Sequence, residues 1–108
     1  MFATDQRWLA LVFIPKHTGA DLDIGFLNDE PYIEEMYPGA FNLLKGASGY
    51  IYTVDGTPFH SDPRLGMLQH EFISDNPVPI LSTEKVDDVW QALMETNVRL
   101  TPKWPVAQ

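Results

Sequence analysis

Gln69, His70 and Glu71 put an amide, an imidazole and a carboxylate on three consecutive residues, immediately ahead of the apolar pair Phe72-Ile73. On an extended strand successive side chains alternate between faces, so Gln69 and Glu71 share one face and His70 takes the other. An acceptor amide beside a negative charge can orient a hydroxyl-bearing ligand and stabilise a developing cation. The plainer alternative is a pair of solvated side chains at a strand start, because a three-residue pattern is a weak signature on its own.

Other chemistries find less in the chain. His60, Asp62, His70 and Glu71 are all metal-ligand types close in sequence, but their spacing matches no zinc pattern such as His-Glu-x-x-His, and no metal is expected. Asp21-x-Asp23 with Gly25 is a fragment of a calcium loop in which the glycine comes one residue early and the remaining ligands are missing. Gly46-Ala47-Ser48-Gly49 forms neither a Gly-x-Ser-x-Gly elbow nor a phosphate-cradling loop, which would need a lysine and a hydroxyl after the glycines. With no cysteine there is no thiolate nucleophile, disulfide framework or cysteine-ligated zinc, a pattern compatible with a reducing compartment. Tyr32, Tyr37, Tyr50, Tyr52 and Trp90 offer flat rings for stacking on a ligand, although aromatics at strand and helix spacing more often fill a core.

Composition bounds the frame that must position these groups. A length of 108 residues fits a single domain with one modest core, and a hydrophobic fraction of 44% argues for a packed globule. The net charge of -8 repels phosphate backbones, and Arg7, Lys16, Lys45, Arg64, Lys85, Arg99 and Lys103 are scattered, so no nucleic-acid partner is expected. A basic protein partner suits that charge, with plain solubility as the simpler explanation. No apolar run is long enough to span a bilayer, and Met1-Phe2-Ala3-Thr4-Asp5 lacks the regions of a signal peptide, so no membrane partner and a cytoplasmic location are expected.

Thr4 as N-cap and Asp5 at the positive helix end predict a helix over Asp5 to Phe13, with Trp8, Leu9, Leu11, Val12 and Phe13 on its apolar face and Pro15 ending it. Lys16 to Pro31 is expected to be loop, broken by Gly19, Gly25, Asn28 and Pro31 and acidic at Asp21, Asp23, Asp29 and Glu30. A loop of that length in a small domain is usually a lid, a binding loop or mobile. Tyr32 to Leu44 predicts two short helical turns joined at Pro38-Gly39. Tyr50 to Val54 predicts a strand with Tyr50, Tyr52 and Val54 on one face, and Asp55-Gly56 a turn leading toward Pro58-Phe59-His60. After a loop over Ser61 to Leu68, strands are expected at His70 to Ser74 and Val78 to Leu81. Thr83 is then expected to cap a helix from Glu84 to Thr96 with Val86, Val89, Trp90, Leu93 and Met94 on one face. Asn97 is the stop, and Val98-Arg99-Leu100 returns as a short strand before Pro102 and Pro105. The sum is an α+β domain with a small, mostly antiparallel sheet and two to three short helices.

The order of these motifs resembles the ADP-ribosyltransferase-like fold in its small bacterial or phage versions. Phe2-Ala3-Thr4-Asp5 followed by Leu9-Ala10 looks like that fold's strand ending in a hydroxyl residue and running into a helix along the NAD cleft. Gly49 to Val54, and Gln69 to Ser74 with Pro77-Val78, look like the strands that follow, the latter bearing the family's Gln/Glu-x-Glu element. The resemblance implies NAD as cofactor, Glu71 as catalytic glutamate, Gln69 as the residue positioning the acceptor, and Thr4, Tyr50 and Tyr52 on the cofactor. The family's first motif, an arginine or histidine on an N-terminal strand, belongs ahead of Phe2, where this sequence has only Met1. That departure implies a shortened or degenerate relative, or a start further upstream, and an edge strand left for a homodimer to cover. Two functions from different classes follow: an NAD-cleft protein working through Glu71, or a non-catalytic interaction module whose acidic segment Asp21 to Glu30 meets a basic partner.

Overall fold

A computed structural model describes residues 2–62, 64 and 70–102, with Phe2 described by its backbone alone. In chain order the elements are β1 (Phe2–Thr4), α1 (Arg7–Val12), β2 (Leu22–Leu27), β3 (Glu30–Glu35), a 3-10 turn (Ala40–Leu43), β4 (Gly49–Val54), β5 (Glu71–Ile73), β6 (Ile80–Val86), α2 (Val89–Met94) and β7 (Arg99–Pro102). The expected α+β class is what these elements form. The strands divide among three small sheets, β1-β5, β2-β3-β7 and β4-β6, in which every pairing is antiparallel except the parallel β3–β7.

The segment expected as loop from Lys16 to Pro31 instead contains β2, and the helical turn expected at Tyr32 is β3. Leu22, Ile24 and Phe26 alternate with Asp23 and Gly25, the period of a strand with one buried face. Asn28 and Asp29 take φ of 53 and 64, so both central residues of the two-residue turn are left-handed, as a tight hairpin needs. Gly25 faces Tyr32 across the hairpin, and a Cβ there would lie 2.8 Å from the tyrosine hydroxyl; the ring covers the strand where the glycine leaves room.

Trp8, Leu9, Leu11 and Val12 of α1 are buried with Leu22 and Ile33 of the hairpin, Val86, and Val89 and Leu93 of α2. The helix begins at Arg7 rather than Asp5: Thr4 belongs to β1, and its hydroxyl oxygen accepts the Gln6 N–H at 3.1 Å without capping the helix. The second helix is shorter than its apolar period suggests, because Glu84, Lys85 and Val86 pair with Ile51, Tyr50 and Gly49 in the β4–β6 ladder. Asp88, not Thr83, is the cap. Its carboxylate accepts the Gln91 N–H at 3.4 Å and the Gly46 N–H at 3.1 Å. The carbonyls of Ala47 and Leu44 take the N–H groups of Val89 (2.8 Å) and Trp90 (3.2 Å), so the start of α2 is satisfied by the preceding loop.

β4 leaves the core at Gly49, where a Cβ would sit 2.6 Å from Ile14 Cγ2. Gly49→Ala is therefore expected to cost about 1–3 kcal/mol through overpacking, read as a lowered urea midpoint; an unchanged midpoint would mean that Ile14 rotates away freely. The hairpin expected to run from Asp55-Gly56 to His60 does not form. β4 pairs with β6, and His60 makes an isolated bridge to Ile73 of β5 through two 2.8 Å backbone bonds.

Candidate functional site

The β1–β5 register sets Phe2 opposite Ile73, Ala3 opposite Phe72 and Thr4 opposite Glu71. Directly opposed residues on an antiparallel pair share a face, so Thr4 and Glu71, remote in sequence, become neighbours. Both are partly buried. The Thr4 hydroxyl donates to the His70 carbonyl while accepting from Gln6, which ties the end of β1 to the start of β5. With donor and acceptor both engaged, that hydroxyl holds the strands in register and is not poised as a nucleophile.

His70 lies one residue ahead of β5, and its Nδ1 meets Asp5 Oδ1 at 3.0 Å. A proton on Nδ1 shared with this carboxylate leaves Nε2 of the neutral ring as an acceptor. The imidazole also packs on Phe26 with centroids 4.6 Å apart, and Phe26 meets Trp8 edge-on at 5.6 Å. The site thus rests on an aromatic stack that ends in the core. Trp8 is 1% exposed, and its Nε1 has no hydrogen-bond partner among the described residues.

Tyr50 and Tyr52 stand apart, on the β4–β6 sheet. Their rings stack at 6.4 Å with 23° between planes, and both are exposed. Gln69 lies outside the described residues. Asp5, Phe26 and Trp8 join Glu71 and His70 without having been singled out for the site from sequence. Asp5 reads locally as a first-turn helix charge, and only the β1–β5 register brings it to His70.

Comparison with known proteins finds no matching family model, no matching curated protein and no matching solved structure.

Several of the other charged groups are tied into local structure. Among the described residues no group of three or more histidine, aspartate or glutamate side chains is placed to hold a metal. The Arg64 guanidinium, held by the Asp62 carboxylate, and then the Arg64 backbone N–H, which donates to it at 2.9 Å, together pull the Asp62 carboxyl down to about 2. A depressed folded-state pKa stabilises the fold above the ordinary value of 3.8 and loses that contribution as pH falls toward 2. Asp62→Asn is accordingly expected to lower the urea midpoint at neutral pH, with the gap to wild type closing between about pH 4 and about pH 2. A gap independent of pH would deny the ion pair that role.

The acidic segment is a structured hairpin edge. Asp21 accepts from the Thr18 N–H (2.9 Å) and the Tyr37 hydroxyl (2.8 Å), bonds that lower its pKa, and Glu30 pairs with Arg99 at 3.1 Å. A shallow concavity of about 40 Å³ lined by Leu27, Glu30, Pro31, Tyr32, Glu34, Arg99 and Thr101 has room for water, not for a nucleotide.

Proposed function

We propose that the chain is a relative of the ADP-ribosyltransferases that handles NAD at the β1–β5 ribbon, with Glu71 as its key residue. Support comes from one observation above the others: Thr4 and Glu71, two of the residues to which the resemblance assigns roles, face each other across a single antiparallel register. In this reaction the bond between the ribose carbon and the nicotinamide nitrogen breaks, and its electron pair leaves with nicotinamide. The ribose carbon becomes oxocarbenium-like, and a partly buried carboxylate is the group to stabilise that charge. The acceptor then bonds to the ribose carbon and gives up its proton, with Gln69 in the positioning role that the resemblance implies. Thr4 contributes by fixing the His70 carbonyl, and therefore where β5 begins.

The test is thermal unfolding with and without millimolar NAD. A ligand that binds only the folded chain raises its stability by about 1.4 kcal/mol at ten times its dissociation constant, a shift of several degrees for a domain of this size. An upward shift that ADP-ribose competes for is the expected result. No shift at millimolar NAD would sink the proposal.

A further inference from the structure

The two edges of the β4–β6 ribbon are built differently. Among the described residues neither strand has a second neighbour, so each leaves one edge of backbone N–H and C=O groups open. On β6 that edge is guarded. It carries Glu84 and Lys85, and the register passes from Thr53–Ser82 to Val54–Ile80, which leaves Leu81 as a bulge. Charges and bulges are the usual means of keeping another strand off an edge. β4 has no charge and no proline in Gly49-Tyr50-Ile51-Tyr52-Thr53-Val54, and every residue after the glycine is β-branched or aromatic. A short uncharged segment of that composition pairs readily with another strand.

We infer that the chain forms a two-fold homodimer through the open edges of β4, so that two ribbons join into one four-stranded sheet in the order β6-β4-β4-β6. The sequence of β4 is self-complementary about Ile51. In an antiparallel pair centred there, Ile51 meets Ile51 of the second copy, and Tyr50 of each copy meets Tyr52 of the other, matched in face at every position. A register shifted by two residues keeps the faces matched but leaves only one tyrosine pair. Tyr50 and Tyr52 already stack at 6.4 Å within one copy and are each more than half exposed, so four rings gather at the centre of the joined face. Charge admits a second copy here in spite of the net -8. Lys85 lies opposite Tyr50 and Glu84 opposite Ile51, so the charged side chains of the joined sheet stand on its two outer strands. Three strand spacings, about 14 Å, separate those strands, more than the screening length of about 8 Å at physiological salt. At each end Asp55 of one copy comes beside the Gly46 turn of the other, to which Lys45 and Asp88 bring opposite charges. Six residues per copy make a small interface, so association depends on concentration. It is independent of NAD chemistry at β1–β5.

The experiment follows the chain from micromolar to millimolar concentration by sedimentation and by amide NMR. A mass rising toward that of two chains, with concentration-dependent shifts centred on Gly49 to Val54, is the expected result. Tyr50→Lys/Tyr52→Lys and Tyr50→Glu/Tyr52→Glu change exposed side chains and should leave circular dichroism unchanged. Each sets like charges against one another across the two-fold and is expected to weaken association at least about tenfold. An equal mixture of the two variants sets every lysine against a glutamate, and association should return. A wild-type chain that stays single at every concentration would overturn the assignment, as would a double-lysine variant that associates as tightly as wild type. Shifts centred on β6 or on the β1–β5 ribbon would overturn it too, and so would a mixture that stays single.

Discussion

Trp8→Ala is expected to cost about 3–5 kcal/mol, a large share of the roughly 5–15 kcal/mol that holds a domain of this size together. The side chain is 1% exposed and packs edge-on against Phe26, so its removal opens a void between α1 and the β2–β3 hairpin. The loss should reach the β1–β5 site as well, because Phe26 is the surface on which the His70 ring rests. Trp8→Phe separates packing from polarity. It keeps most of the apolar area and removes the indole N–H, a buried donor that has no partner among the described residues. Leaving such a donor unsatisfied costs about 1–3 kcal/mol, which offsets part of the lost packing, so the phenylalanine variant should fall less than about 1.5 kcal/mol below wild type. Urea unfolding measures both. A phenylalanine variant as unstable as the alanine one would show that the indole N–H is satisfied.

What the sequence discloses about this fold divides along local and non-local lines. β4, β5 and β7 were legible because alternation and turn residues mark them within a few positions. β2 was equally marked by Leu22, Ile24 and Phe26, but Gly25, Asp23 and the acidic residues that flank the strand imitate loop composition. Asn28-Asp29 was the turn signal that distinguishes a hairpin from a loop there. Glu84 to Val86 were misread as helix because apolar spacing cannot reveal that Gly49 to Ile51 will claim those residues as strand partners; Asp88, immediately ahead of Val89, was the legible cap. At the candidate site, Glu71 and His70 are marked by residue type and spacing, and Thr4 enters only through the resemblance. The Asp5–His70 contact was hidden, since no local pattern encodes the register between β1 and β5.

Glu71→Gln is expected to lower nicotinamide release from NAD by about 100–1,000-fold, the scale of removing one electrostatic group aimed at a charge that develops in the transition state. The substitution keeps size and shape, so the fold and the NAD-induced stabilisation should persist. This separates a transition-state role from simple binding, because a group that stabilises the oxocarbenium-like carbon has little to stabilise in neutral ground-state ribose. Thr4→Val is the informative comparison. It breaks the hydroxyl's bond to the His70 carbonyl, and should lower stability by about 0.5–1.5 kcal/mol through loosening of the β1–β5 register. Its effect on turnover should therefore follow the population of the folded ribbon, whereas that of Glu71→Gln should appear at full folding. Undiminished nicotinamide release by Glu71→Gln would remove the carboxylate from the chemistry. A wild-type chain stabilised by NAD that releases no nicotinamide would leave the β1–β5 ribbon a binding site without a reaction, with Glu71 held opposite Thr4 for affinity alone.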